Sequence, residues 1–214
     1  MKIEEIRPAD IEKKSFEIIT KELEQQGKVL EPGTEMIVKR CIHTSADFDY
    51  ADNLYFSDGA VDRALCAIRS GASIVTDTEM AKAGISKRTL SKFGGRVYCF
   101  MSDTDVAEEA RREGVTRAII SMRKAAKLEG KIIFAIGNAP TALLELADLY
   151  ESRKIRPELI IGVPVGFVNV IASKERIMET EAPCIVARGR KGGSNIAACI
   201  CNALLYMADG SRTS

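Results

Sequence analysis

From residue 72 onward a short β-rich run followed by a helical stretch recurs several times, and this alternation constrains the fold more than any other feature. The runs are Ser73–Thr76, Arg96–Met101, Lys131–Ile136, Leu159–Val163 and Cys184–Ala187. They are mostly apolar on both faces, which suits strands of a parallel sheet covered on each side. Asp105-Val106-Ala107-Glu108 reads as a capping box before a helix that Gly114 ends. Thr116 to Glu129 reads as a helix stopped by Gly130, and Ser194 to Ala208 as a final helix with Ile196, Cys199, Ile200, Ala203, Leu204 and Met207 on one face.

Ahead of this alternation the punctuation is helical. Residues 8–26 read as a helix with Pro8 in its first turn and Gly27 past its end. Its face of Ile11, Ser15, Ile18 and Ile19 carries one hydroxyl, which either bonds back to a carbonyl of its own helix or looks into a pocket. Thr34 is placed to cap a second helix, an irregular aromatic segment spans Phe48 to Phe56, and Ser57 is placed to cap a helix that Gly71 stops. No linker or low-complexity segment divides the 214 residues. The expectation is one α/β domain over residues 1–210, an open and mainly parallel sheet with helices on both faces and N-terminal helices, followed by a frayed tail at 211–214.

Composition narrows the partners. A net charge of +1 argues against a surface-wide field for nucleic acid. No apolar run approaches a membrane span and the N-terminus lacks a signal-peptide core, so the chain reads as cytoplasmic. Six cysteines without a CxxC pair read as buried thiols, and one histidine with scattered cysteines offers no protein metal site.

In an open parallel sheet ligands bind beyond the carboxyl ends of the strands. The loops expected there are rich in turn-making and polar residues: Thr76 to Met80, Ser102 to Asp105, Gly137 to Thr141, Gly162 to Phe167, and Arg188 to Asn195. The last is the most specific. Gly192 and Gly193 let backbone approach a ligand, the helix opening at Ser194 points N–H groups outward, and Arg188, Arg190 and Lys191 add charge, so an anion is expected. It is not a Walker loop and no GxGxxG follows the first strand, which weakens nucleotide readings; carboxylates fit as well. Asp47, Thr76, Asp77, Asn138, Arg188, Lys191, Gly192, Gly193 and Ser194 are the candidate binding residues.

His43 is the sole histidine. It stands in the last turn of the second helix, where the helix C-terminus favours an imidazolium, and Asp47 and Asp49 would add to this if they fold back near the ring. It is a candidate proton donor or a histidine with its hydrogen bonds met elsewhere.

Six strings resemble the precorrin-8X methylmutases, and more closely their cobalt-precorrin-8 branch: Ile42–Asp49, Thr76–Met80, Gly114–Arg117, Gly137–Leu143, Pro164–Val168 and Gly189–Asn195. The resemblance implies an open α/β isomerase that works as a homodimer. It moves a methyl group from C-11 to C-12 of a corrinoid to give cobyrinate or its metal-free counterpart, with no cofactor. It also implies that His43 is the general acid toward a ring nitrogen and that Ser15 and Arg117 touch the substrate. The family pattern has glycine and glutamate where this chain has Asn169 and Ala172, so substrate contacts there are not implied. A corrinoid bears several acetate and propionate groups, which accounts for basic and amide-rich loops around one cleft. Two other functions stand beside this one: a carrier of a corrinoid intermediate that does no chemistry, and a Rossmann-like enzyme of S-adenosylmethionine or a nucleotide.

Overall fold

In the computed structural model, which describes Arg7 and residues 10–211, the five apolar runs all become strands. They are β2 (Ser73–Thr76), β3 (Val97–Tyr98), β4 (Ile132–Ile136), β5 (Leu159–Gly162) and β6 (Cys184–Ala187), all parallel to one another. A sixth, β1 (Leu54–Phe56), pairs antiparallel with β6 and completes the order β1-β6-β5-β4-β2-β3. The alternation along β4 shows why the runs are apolar throughout. Ile132, Phe134 and Ile136 enter one core while Ile133 and Ala135 enter the other, and all five are buried.

Eleven helices among the described residues cover the sheet. One face carries α2 (Glu35–Ser45), α4 (Ala60–Arg69), the short α5 (Glu79–Gly84) and α6 (Lys87–Ser91), and α11 (Ser194–Asp209), which is buried almost all round between them. Outside α2 lies α1 (Ile11–Gln25), and α3 (Tyr50–Asn53) leads into β1. The other face carries α8 (Arg117–Ala125), α9 (Pro140–Glu151) and α10 (Val170–Met178), with α7 (Thr104–Glu113) packed on α8 through Val106, Ala110 and Ile120.

Several expectations are corrected. The segment expected to be irregular up to Phe56 contains α3 and the edge strand. Ser57 does not cap α4, which starts behind the left-handed Gly59; it extends the β1–β6 ladder, its N–H donating to the Cys184 carbonyl and its Oγ accepting the Cys184 N–H at 2.8 Å. Thr34 stands at the start of α2 but gives its hydroxyl to the Glu31 carbonyl. No capping box forms at α7, because Asp103 and Asp105 both turn to Lys124 of α8. Thr116 does cap α8, accepting from the Ile119 N–H, but that helix ends at Ala125 rather than Glu129. Pro8 and residues 212–214, most of the expected tail, lie outside the described residues; the Ser211 N–H donates to the Tyr206 carbonyl.

One side chain joins two neighbouring strand ends. Asp77, fully buried just beyond β2, accepts the N–H groups of Gly137, Asn138 and Ala139 at 2.9, 2.8 and 2.6 Å, which fixes the loop after β4. Burial raises its pKa and the three donors oppose the rise. Asp77→Ala leaves three buried donors without an acceptor and is expected to cost about 3 kcal/mol or more in urea denaturation, since each orphaned group costs roughly 1–3. An unchanged unfolding midpoint would show that the loop finds other acceptors.

Candidate active site

The loops after β2, β4, β5 and β6 meet at a seam with no room for a side chain. A Cβ on Gly137 would stand 2.6 Å from the Ser194 Cα, and one on Gly192 2.1 Å from the Val163 carbonyl oxygen. Gly192 and Gly193 hold φ of 154° and 134°, outside what other residues readily adopt. Across the seam the Gly193 N–H donates to the Val163 carbonyl at 2.8 Å, the Gly166 N–H to the Arg190 carbonyl at 3.2 Å, and the hydroxyls of Ser194 and Thr78 lie 2.8 Å apart. Beneath it Lys174 of α10, 1% exposed, donates at 2.8 Å to the carbonyls of both Gly189 and Lys191. Burial lowers its pKa to about 8.

The end of α2 reaches the same rim. Lys191 pairs with Asp47 at 2.6 Å and with Asp49 at 2.5 Å, and the Thr44 hydroxyl donates to the Cys199 thiol of α11 at 3.2 Å. His43, exposed in the last turn of α2, stacks on Phe16 of α1 with ring centroids 5.6 Å apart and planes 22° off parallel. Among the described residues no hydrogen bond engages its ring nitrogens. Arg40, one turn earlier, lies over the same Phe16 ring at 5.2 Å and pairs with Glu12 at 2.6 Å, which holds α1 against α2.

The structure therefore brings His43, Asp47, Asn138, Lys191, Gly192, Gly193 and Ser194 to one rim. Asp47 and Asp49, which would favour an imidazolium if they folded back near the ring, pair with Lys191 instead. Lys191 takes both, so its charge is already matched; the same bond lowers the Asp47 pKa and raises that of Lys191. Thr76 and Asp77 lie under the rim rather than on it: both are fully buried, the Thr76 hydroxyl between the carbonyls of Thr78 and Tyr98. Ser15 bonds back to the Ile11 carbonyl at 2.9 Å, the helix-internal alternative. Arg188 is drawn toward the edge strand, its guanidinium 4.9 Å over the Tyr55 ring. Arg117 opens α8, exposed, and the 2.9 Å bond between Thr116 and Thr141 sets that helix start beside the start of α9 and the Asn138 loop.

Sequence reasoning missed Lys174, Phe16 and the exposed Phe167, which Arg190 covers at 5.4 Å. The signal for Lys174 was present: it falls four residues after Val170 and three before Ile177, on the buried stripe of α10. Among the described residues no group of His, Cys, Asp and Glu side chains is arranged to hold a metal, and no helix is long and apolar enough to cross a membrane.

The sequence matches the family described as precorrin-8X methylmutase over residues 10–207. A cobalt-precorrin-8 methylmutase of Priestia megaterium is 46% identical over 211 residues, covering 97% of this chain and 92% of that protein. Another, from Salmonella typhimurium, is 43% identical over 94% of this chain and 95% of its own length. The crystal structure of the precorrin-8x methyl mutase of Thermus thermophilus superposes with a TM-score of 0.83 at 36% identity, over 94% of this chain and 99% of that one. Agreement in sequence and in fold thus spans nearly the whole chain, the glycine seam and the end of α2 included: the chain belongs to the precorrin-8X methylmutase family and is an isomerase of cobalamin biosynthesis.

Proposed function

We propose that this chain moves a methyl group from C-11 to C-12 of cobalt-precorrin-8, with His43 as the general acid. The observation that carries the reading is the sole imidazole standing exposed at the end of α2, its nitrogens without a hydrogen bond among the described residues, on the helix end that Asp47 ties to Lys191 of the glycine loop. Protonation of a ring nitrogen by His43 draws electron density from the conjugated macrocycle. The bond from C-11 to the methyl carbon then breaks as the bond to C-12 forms, and the proton returns to the imidazole. No atom is gained or lost, so no redox partner is required. The names of the relatives from Priestia megaterium and Salmonella typhimurium favour the cobalt form of the substrate, the metal arriving within it.

The acetate and propionate groups of the corrinoid would be held by the N–H groups around Gly192 and at the start of α11, by Arg190 and Asn138, and on the far side by Arg117. Arg188 could reach them only by leaving the Tyr55 ring. Ser15 would serve by placing Phe16 beside the imidazole rather than by its hydroxyl, which is occupied.

The rim is open, and its exposed apolar side chains favour a homodimer that closes it. Met80, Phe167 and Val168 are 69%, 83% and 78% exposed, and Ile11 and Ile18 of α1 are about half exposed. Light scattering is expected to give about twice the 23.4 kDa of one chain, and Phe167→Asp is expected to weaken the association and lower turnover together. A wild-type monomer at micromolar concentration would exclude the dimer.

Incubation with cobalt-precorrin-8 is expected to change the spectrum at constant mass. His43→Ala is expected to bind the corrinoid with near-native affinity and to lose turnover by at least 100-fold, the lower bound of roughly 10²–10⁴ for a positioned acid. Full turnover in that variant would refute the acid role. Binding without any spectral or product change in the wild type would instead favour a carrier.

A further inference from the structure

Among the described residues Lys174 is a buried cation with no counter-charge, and the reaction proposed above makes no use of it. Its ammonium meets two backbone carbonyls and, among the described residues, no carboxylate. The charged groups on the elements packed against α10 are spoken for. Asp148 and Glu151 of α9 pair with Arg176, Cys184 of β6 is held as the thiol by burial, and Arg188, Arg190 and Lys191 engage Tyr55, Phe167 and the Asp47–Asp49 pair. A methionine would fill the same volume without the cost of desolvating a charge. The charge therefore calls for a role.

Peptide geometry supplies one. In a trans peptide the N–H points opposite to the carbonyl of the residue before it, and the chain has no cis bond among the described residues. Drawing the Gly189 carbonyl inward turns the Arg190 N–H outward, and drawing the Lys191 carbonyl inward does the same for the Gly192 N–H. Among the described residues neither N–H meets a backbone acceptor. Both open beside the unpaired first-turn N–H groups of α11, which has no side-chain cap.

We propose that Lys174 is a positioning residue for substrate carboxylates: its ammonium aims the Arg190 and Gly192 N–H groups at the rim and sets a positive charge beneath them, coupling carboxylate binding to protonation of Lys174. This rests on the reading of the rim as the site for the corrinoid's side chains. A charge screened from water acts at longer range than one on the surface, so Lys174 reaches the ligand through the loop without touching it.

The sign of the pH effect follows. Burial lowers the Lys174 pKa to about 8. Below that value the ammonium is present and the loop is charged; as pH rises through it the charge is lost and carboxylate affinity falls. The fold itself gains from that deprotonation, because between about 8 and the ordinary value of 10.5 the unfolded chain holds the proton that the folded chain has shed. Weaker binding in this window is therefore not unfolding. By reciprocity a bound carboxylate raises the Lys174 pKa, and binding takes up a proton.

The test is calorimetric titration with cobyrinate between pH 7 and pH 9, in buffers of different ionisation enthalpy. The wild type is expected to bind about tenfold more weakly at pH 9 than at pH 7 and to take up close to one proton at pH 9. Lys174→Met and Lys174→Gln should bind more weakly at pH 7, with neither the pH dependence nor the uptake. Lys174→Arg, charged throughout, should keep one affinity across the range. Wild-type affinity that is flat with pH, or uptake that survives in Lys174→Gln, overturns the role of Lys174 and leaves the corrinoid site standing. A wild type that fails to bind cobyrinate at pH 7 overturns both.

Discussion

Everything at the rim depends on the seam where the loop after β6 crosses those after β4 and β5 at distances that exclude a Cβ. With Gly137 against Ser194 and Gly192 against the Val163 carbonyl, the backbone of three loops packs directly, and the start of α11 is drawn in over the strand ends. Close backbone approach of this kind replaces side-chain packing with hydrogen bonds, such as Gly193 to Val163, and leaves peptide groups as the rim's lining. A polyanionic substrate held there, as proposed, would find N–H dipoles whose orientation is set before it arrives, which reduces the entropy lost on binding.

Two buried charges hold that backbone from opposite sides. Asp77 collects three N–H groups of the loop after β4, and Lys174 collects two carbonyls of the loop after β6. The roles are not interchangeable. A carboxylate can only accept and an ammonium can only donate, so each side chain selects which half of a peptide faces the core and which faces out. Asp77 holds N–H groups inward in the loop that carries the exposed Asn138, and Lys174 holds carbonyls inward in the loop proposed to meet substrate carboxylates. The polarity of the rim is thus decided beneath it.

How much of this the sequence discloses depends on whether a feature is local. The five parallel strands are readable because burial on both faces makes each an unbroken apolar run, and β3 shrinks to Val97–Tyr98 because an edge strand has one neighbour to pair with. β1 is not readable: three half-buried residues after a short helix carry no periodicity, and Ser57 looks like a helix cap until Cys184 arrives from 127 residues away. The same applies at the site. The glycine loop and the lone histidine are visible as residue types, and Lys174 is visible as a cation on a buried stripe. Which carbonyls it takes, and that Lys191 takes Asp47 and Asp49, are decided by tertiary partners between which no local pattern chooses.

In the proposed mechanism, the pairing of Lys191 with Asp47 and Asp49 bears on what kind of acid His43 would be. Carboxylates beside the imidazole would hold it as a tight ion pair and would compete with the substrate for its N–H groups. Placed on Lys191 instead, they brace the end of α2, which carries His43, against the glycine loop. The ring is then positioned by its face, through Phe16, which itself lies under Arg40. Stacking fixes the plane of an imidazole through its face and leaves its edge out of that contact, which suits the proposed donation of a proton to a flat macrocycle and its recovery within one turnover. Ser15 and Arg40 act at one remove in this scheme, one by its place in α1 and the other by holding that helix down, and the proton path is left to a single side chain.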